Sequence, residues 1–269
     1  MQYSSPLPGR RLCRAFSATI LTDLLLSASV MTLALLGGSP AFAAGLQVSS
    51  TRISMPAENN AEAVVLYNTG DESIYAQVRL FSWENGADTE GSAPTSDIVA
   101  SPSLVQIEPG GSQLVRIVRL MEAPVQQQQS YRMLIDELPL QVDEQDAATQ
   151  VSRSNLVFRF RYSIPVFLDP HASVTLQPVL NARLELREGE LMLCISNQGN
   201  AHAQLSDIKW LNEQQSSDAI NALVAYLLPG EERHWPLPIY FNANSRGAIT
   251  ARINGDTDDT VLLPLSADR

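Results

Sequence analysis

Short runs of alternating apolar and polar residues, each ended by a turn-forming residue, dominate the chain beyond residue 44. Such runs are typical of β-strands with one buried face, and helical periodicity is scarce. Turn signals separate the runs: Asn68-Thr69-Gly70, Glu84-Asn85-Gly86 and Pro109-Gly110-Gly111. The first seven runs have the spacing of an immunoglobulin-like sandwich, and they are Leu46–Met55, Ala63–Asn68, Ile74–Trp83, Leu104–Ile107, Gln113–Leu120, Tyr131–Glu137 and Leu156–Leu168.

A second set of short runs follows Asp169-Pro170, where the proline interrupts strand pairing because it has no N–H to donate. This set predicts a second, smaller sandwich with strands at Val174–Leu176, Arg183–Leu186, Leu191–Asn197, Gln204–Trp210, Val224–Leu227, His234–Pro238, Ala248–Ile253 and Val261–Leu265. Two polar loops, 85–103 and 138–154, are expected in the first sandwich. The predicted fold class is all-β, with two immunoglobulin-like β-sandwich domains.

The first 43 residues differ from the rest and have the pattern of a secretory signal peptide. Three arginines precede an apolar run, Leu24–Leu36, and the segment Ser39–Ala44 carries small residues at Ala41 and Ala43. The run is shorter than the ~20 residues that cross a bilayer, which disfavours the alternative of a membrane anchor. We therefore predict a signal peptide at 1–43, an N-terminal domain at 44–168 and a C-terminal domain at 169–269. The mature chain is expected to be exported, without membrane insertion.

Charge and cysteine content exclude several classes of partner and site. Removing residues 1–43 takes away three arginines and one acid, so the formal charge falls from −11 to −13. Such an acidic chain is a poor partner for nucleic acid, whose phosphates select basic surfaces. Cys194 remains alone, in a strand-like run, and is expected to be a buried small residue that forms no internal disulfide.

No arrangement of residues along the sequence indicates catalysis. His171, His202 and His234 occur singly, without the spacing of zinc ligands. A nucleophile elbow and a phosphate-binding glycine loop are both absent from the sequence. We expect no enzymatic activity, no metal site and no cofactor.

The segment Asn155–Phe167, N-L-V-F-R-F-R-Y-S-I-P-V-F, has the pattern of a long strand that ends near a proline. Leu156, Phe158, Phe160, Tyr162 and Ile164 alternate with mostly polar or cationic residues, so one face is strongly apolar. Periodicity alone leaves two interpretations open. The apolar face either packs the domain's own core or is offered to another molecule.

Five segments together resemble the periplasmic pilus (fimbrial) chaperone family over nearly all of the mature chain. They are Leu46–Met55, Val65–Asn68, Ile107–Gly110 leading into Leu114–Arg116, Tyr131–Pro139, and Ile164–Pro170. The Ile-Pro-Val-Phe form of the last segment is similar to the archaic branch, which serves spore-coat-U-like and biofilm pili. The resemblance implies two immunoglobulin-like domains set in an L.

The resemblance also implies donor-strand complementation, in which the chaperone lends a strand to a pilus subunit that lacks its last one. Leu156, Phe158, Phe160 and Tyr162 would then fill successive positions in the open core of the subunit. The partners would be pilus subunits and an outer-membrane usher, and no nucleotide is implied. Self-association, which would cover the donor strand before a subunit arrives, is compatible with the sequence.

A basic anchor for the C-terminal carboxylate of the subunit is the second implied feature. Arg52 falls on the family's arginine position, but the family's lysine position is occupied by Pro165, which has neither charge nor N–H. Arg132, among apolar residues of the neighbouring strand, is the preferred substitute, and an exposed strand arginine is the alternative. Arg159 and Arg161 are weaker candidates because they alternate away from the apolar face.

Two other functions fit parts of the pattern. A two-domain immunoglobulin-like adhesin or structural pilus component would have a self-contained first core. A secreted enzyme on a β scaffold would require titratable residues clustered in a pocket.

Overall fold

A computed structural model describes residues 45–84, 93–139, 159–211, 216–219, 225–238 and 246–265. These residues belong to one compact unit, Ala44–Arg269, and form β-strands without any helix. In this part of the chain, no helical segment has the length and apolar character needed to cross a bilayer. The predicted signal peptide lies outside the described residues.

Within the described residues, nine strands build the N-terminal sandwich: β1 (Leu46–Val48), β2 (Ile53–Met55), β3 (Ala61–Asn68), β4 (Ile74–Ser82), β5 (Ile98–Ser101), β6 (Leu104–Ile107), β7 (Ser112–Arg119), β8 (Gln129–Leu138) and β9 (Arg161–Leu168). One sheet has the order β1-β3-β7-β5 and the other β2-β9-β8-β4-β6. Alternate apolar residues of both sheets enclose a core that contains Leu66, Ile117, Met133 and Val166, all fully buried. The seven-run pattern therefore predicts this sandwich correctly, as period-2 alternation requires.

Two details of this domain differ from the sequence prediction. The run Leu46–Met55 is two strands rather than one, because the chain leaves the first sheet after Val48 and enters the second at Ile53. At the break, the Ser50 hydroxyl donates to the carbonyl of Arg52 and replaces a ladder bond. The expected loop at 85–103 contains β5, which pairs with β7.

The part of the C-terminal sandwich that the structure describes has eight strands: β10 (Leu180–Arg187), β11 (Glu190–Asn197), β12 (Ala203–Leu211), β13 (Ser216–Asp218), β14 (Ala225–Leu227), β15 (Glu232–Pro236), β16 (Gly247–Ile253) and β17 (Thr260–Leu265). Its sheets are β10-β11-β15 and β13-β12-β16-β17, with β14 also paired to β12. The predicted strand at Val174–Leu176 is wrong. The Asn200 side chain bonds the backbone of Thr175 and Gln177 there, which takes the place of strand pairing.

Residues of the two sandwiches meet in a separate apolar group that we call the interface cluster. It consists of Trp83, Phe167 and Leu228, with Tyr226 packed against it. Trp83 and Phe167 belong to the N-terminal sandwich, and Tyr226 and Leu228 to the C-terminal one. The interface cluster therefore covers the part of the β2-β9-β8-β4-β6 sheet that faces away from the N-terminal core.

Candidate functional site

Strand β9 is buried on both faces over its last five residues. Ile164, Val166 and Leu168 point into the N-terminal core. Pro165 and Phe167 are buried on the opposite face, where Phe167 joins the interface cluster. Packing on both faces fixes this end of the strand, which therefore provides a rigid base for the residues that precede it along the chain.

The first residues of β9 continue the core-facing row beyond the sandwich. Tyr162 is half-buried against the core, and its hydroxyl donates to the carbonyl of Leu46. Phe160, two residues earlier, is 38% exposed, with its ring stacked on Tyr162 at 6.4 Å between centroids and resting beside Gly45. The row of apolar side chains thus emerges from the core at Tyr162. Leu156 and Phe158, the other predicted donor residues, lie outside the described residues.

Strand β9 has one free edge among the described strands. On one side, β8 pairs with it from Arg161 to Leu168. On the other side, β2 pairs only with Val166–Leu168, in parallel. The backbone of β9 from Arg161 to Pro165 therefore has no described strand on the β2 side. An exposed edge of this kind is a template for pairing with another chain.

Two arginines flank Pro165 on the face turned away from the core. Arg132 is the direct cross-strand neighbour of Pro165 on β8. Since Ile53 pairs with Val166 in parallel, Arg52 comes alongside Pro165 on the β2 side. We call Arg52, Pro165 and Arg132 the arginine row. Pro165 is thus bracketed by two cations, and the row lies where the free edge of β9 ends.

Both arginines act electrostatically on one phenol of the C-terminal sandwich. Burial raises the pKa of Tyr226 above its ordinary value, and the charges of Arg52 and Arg132 both oppose that rise. The Arg132 guanidinium stacks on Trp83, with Cζ 3.6 Å from the ring centroid, and lies 6.0 Å from the centroid of Tyr226. Arg52 is exposed. The sequence-predicted anchor residues are therefore brought together, next to an aromatic wall that the sequence did not indicate.

The charge of Arg161 is already compensated. Asp136 on β8 accepts a hydrogen bond from the Arg161 Nε and another from the Arg79 Nη2, the latter at 2.6 Å. Burial would raise the pKa of Asp136, but these two guanidinium groups outweigh burial together and hold that pKa below its usual value. The arrangement ties the start of β9 to its neighbours.

A buried histidine stacks on the outer face of β9. The rings of His202 and Phe167 are parallel, with centroids 3.6 Å apart. The His202 Nδ1 lies 2.6 Å from Gln128 Oε1, and Gln128 Nε2 donates to Asp169 Oδ1 at 2.7 Å. Because the amide oxygen can only accept, Nδ1 carries the proton and the buried Nε2, which has no partner, carries none. Burial, with a smaller contribution from Arg52, lowers the pKa of His202 to about 4.

Sequence reasoning missed the residues that hold the sandwiches together: Trp83, Gln128, Phe167, His202 and Tyr226. The only available signal was the uninterrupted apolar run Val166–Leu168, since a strand buried on both faces loses its alternation. The other four are spread over 143 positions of the sequence and share no local pattern.

The structure places the titratable residues outside this site as follows. His171 is exposed, in the segment between the sandwiches. Cys194 is fully buried in β11, as its strand-like context predicts, and burial raises the pKa of its thiol to about 11. These features do not resemble an activated nucleophile.

The fold and this site define a two-domain immunoglobulin-like protein with a rigid strand that emerges at a cationic row. Residues 45–173 match the family described as pili and flagellar-assembly chaperone, PapD N-terminal domain. Residues 45–173 therefore belong to this pilus-chaperone family. The family is one of chaperones and not of enzymes. Comparison with curated proteins gives no match.

Solved structures show the same two-domain fold. A chain of the CsuC–CsuE chaperone–tip adhesion subunit pre-assembly complex, from archaic chaperone-usher Csu pili of Acinetobacter baumannii, is 24% identical, with a TM-score of 0.61, covering 81% of this chain and 97% of that one. The Escherichia coli chaperone DraB is 18% identical, with a TM-score of 0.58 and coverage of 81% and 95%. The Pseudomonas aeruginosa chaperone CupB2 is 13% identical, with a TM-score of 0.55 and coverage of 82% and 100%.

Proposed function

We propose that the chain is a periplasmic chaperone of an archaic chaperone–usher system, which captures pilus subunits by donor-strand complementation and delivers them to an outer-membrane usher. The observation that carries this proposal is the open edge of β9 from Arg161 to Pro165, next to the emerging apolar row. The CsuC–CsuE structure, a chaperone with a tip subunit from archaic pili, supports both the mechanism and the branch.

The partner strand would pair with the free edge of β9 in the direction that β2 already takes. Strand β2 runs parallel to β9 and begins beside Pro165. A subunit strand running the same way and stopping before β2 would place its C-terminal carboxylate at the arginine row. Main-chain hydrogen bonds would supply general affinity for the strand, and the carboxylate contact would fix its register.

The apolar row would supply most of the binding free energy. Leu156, Phe158 and Phe160 would fill the open core of the subunit, at about 1.5–3 kcal/mol for each side chain that becomes fully buried. Ordering of the donor segment and loss of translational freedom would offset part of this gain. Tyr162 would form the base of the donor segment, because its hydroxyl is bound within the chaperone itself.

Charge would set the position of the subunit carboxylate. Arg132 and Arg52 would approach it from the two sides of Pro165, with Arg52 at the family's arginine position and Arg132 in place of the family's lysine. The Trp83 and Tyr226 rings would shield the contact from water, and charge-assisted hydrogen bonds are stronger under such shielding. Arg161 would serve instead to hold the donor strand through Asp136.

The proposal also includes export of the chain across the inner membrane and the limits of its two domains. Residues 1–43 would be removed as a signal peptide, leaving 44–168 as the donor-strand domain and 169–269 as the second domain. The usher would receive the loaded chaperone, and the N-terminal segment of the next subunit would displace the donor strand. Self-association through the same edge would protect the donor strand when no subunit is present.

Co-expression with a pilus subunit from the same gene cluster tests capture, read by size-exclusion chromatography of periplasmic extracts. We expect a one-to-one complex with the wild-type chain and none with Phe158→Asp/Phe160→Asp. Leu104→Asp is the matched control, since Leu104 is 59% exposed on β6 at the far side of the same sheet, and this variant should capture normally. Capture by the double variant would refute the donor assignment. Failure of the wild-type chain to form a complex would favour the adhesin or structural component.

Substitutions in the arginine row test the anchor. Arg52→Ala and Arg132→Ala should each reduce the yield of complex, and the double variant should reduce it most. Arg116→Ala, at an exposed position of the other sheet, is the control. Urea unfolding of the free variants separates lost anchoring from lost packing on Trp83. Unchanged yield in the double variant would remove the carboxylate role of both residues.

A further inference from the structure

Three potential metal ligands converge on the β10-β11-β15 sheet of the C-terminal sandwich, separate from the site described above. Cys194 on β11 is paired directly with His234 on β15, and Glu185 lies on the adjoining strand β10. One donor atom from each residue lies within 4.8 Å of the other two. The residues come from three strands, so no motif along the sequence links them.

The donor atoms face one another. The Cys194 thiol donates to Glu185 Oε2 at 3.3 Å, and His234 Nε2 lies 3.9 Å from that same oxygen. His234 Nε2 is also 3.1 Å from Glu232 Oε1, yet this nitrogen is buried and forms no hydrogen bond of acceptable geometry with any described residue. An imidazole nitrogen directed at a thiol and carboxylates, without a satisfied hydrogen bond, has the arrangement of a ligand awaiting a cation.

The orientation of the Glu185 and Glu232 carboxylates supports a metal-binding role for this group of residues. Glu185 Oε1 accepts from Arg187 Nε at 2.9 Å, while Oε2 lies toward Cys194 and His234, with Arg183 Nη2 3.6 Å away. Glu232 is held by both terminal nitrogens of Arg183, at 2.7 and 2.9 Å. Outer partners of this kind orient the ligands of metal sites, and the two arginine charges offset the charge that a thiolate would add. Without a metal, the same contacts are a surface network of ion pairs.

We propose that Glu185, Cys194 and His234 bind a zinc ion, with Glu232 or water as the fourth ligand. Sulfur, imidazole nitrogen and a single carboxylate are typical zinc ligands, whereas calcium and magnesium prefer sites built from oxygen alone. On binding, the thiol proton passes to solvent and the sulfur coordinates as thiolate. The ion would cross-link three strands of the second sandwich without taking part in subunit capture.

Titration of the metal-free full chain with ZnCl₂, in competition with a chromophoric chelator, tests this site. We expect one zinc per chain. Cys194→Ala and His234→Gln should each weaken binding by at least about tenfold. His171→Gln is the control, because His171 is exposed and remote in sequence, and it should bind zinc as the wild-type chain does.

Cobalt supplies a readout in the wild-type chain itself, which needs no variant to fold. The wild-type chain with Co²⁺ should show a thiolate-to-cobalt charge-transfer band in the near ultraviolet, and Cys194→Ala should lack it. Absence of this band in the wild-type chain, or zinc binding that is unchanged in both ligand variants, would overturn the proposal. Because subunit capture is not measured here, failure of this site would leave the chaperone function untouched.

Discussion

The two ends of strand β9 carry one continuous row of apolar side chains but have different surroundings. From Ile164 to Leu168 every side chain is buried, on the core side or against the interface cluster. At Phe160 the row is exposed, and the edge beside it has no described partner. Apolar side chains of the same row therefore stabilise the chain itself at one end and are accessible to another molecule at the other end.

The difference comes from what lies next to each end. Strand β2 and the C-terminal sandwich cover the last residues of β9, whereas the first residues extend past both. A rigid base is useful for a lent strand, because the entropy of ordering the base is lost during folding and not during binding. The following predictions test where the boundary between the two ends lies.

Replacing Phe167 should have the largest effect on stability. Phe167→Ala removes a fully buried ring that stacks on His202 and contacts Trp83, so we expect a loss of about 3–5 kcal/mol in the free energy of unfolding. Urea denaturation followed by tryptophan fluorescence measures it. A loss below about 1 kcal/mol would mean that the buried end of β9 is not the rigid base.

Stability should depend on pH through His202. Its pKa is about 4 in the folded chain, against an ordinary value of 6.5, so the unfolded chain binds more protons between these values. Its contribution should be complete above pH 6.5, fall on the order of 2–3 kcal/mol as the pH drops to about 4, and then level off. The reason is that a proton on the buried Nε2 would have no acceptor.

The difference between the wild-type chain and His202→Gln isolates this dependence from that of the carboxylates. The midpoints of urea unfolding of the wild-type chain and of His202→Gln, measured from pH 7.5 to 4, should approach each other as the pH falls. His171→Gln should follow the wild-type chain throughout. Parallel curves for wild type and His202→Gln would show that the histidine is not buried between the sandwiches.

Tyr162 marks the boundary and should have an intermediate effect. Tyr162→Phe keeps the ring but removes the hydrogen bond to the Leu46 carbonyl, which should cost about 0.5–1.5 kcal/mol of stability. Chemical denaturation measures the change, and subunit capture should persist. A change in capture as large as that of Phe158→Asp/Phe160→Asp would place the tyrosine among the residues that enter the subunit.

Phe160 should have the smallest effect on the stability of the free chain. Its ring is 38% exposed and contacts chiefly Tyr162 and Gly45, so we expect Phe160→Asp to change the free energy of unfolding by about 0.5 kcal/mol or less. The same urea experiment checks it. A large loss would indicate that Phe160 belongs to the chain's own core.

Local alternation predicts most of the first sandwich, since each strand buries one face and turns carry their own residue signals. It fails at Leu46–Met55, where a serine contact redirects the chain between sheets, and at β5, a short strand within a polar segment. The resemblance to the pilus-chaperone family, and not alternation, indicated both arginines of the candidate anchor. Arg52 and Arg132 both act electrostatically on Tyr226, which lies on β14 of the other sandwich. No spacing along the sequence relates this tyrosine to the two arginines.

By itself, the sequence determined the all-β class, the series of strands in each sandwich and the position of the apolar row, because side-chain alternation is a property of neighbouring residues. Only the tertiary structure decided which end of that row is free, that Arg52 and Arg132 flank Pro165, and that Glu185, Cys194 and His234 meet. These depend on strand register and on the packing of distant segments, which bring together residues that the order of the chain keeps apart.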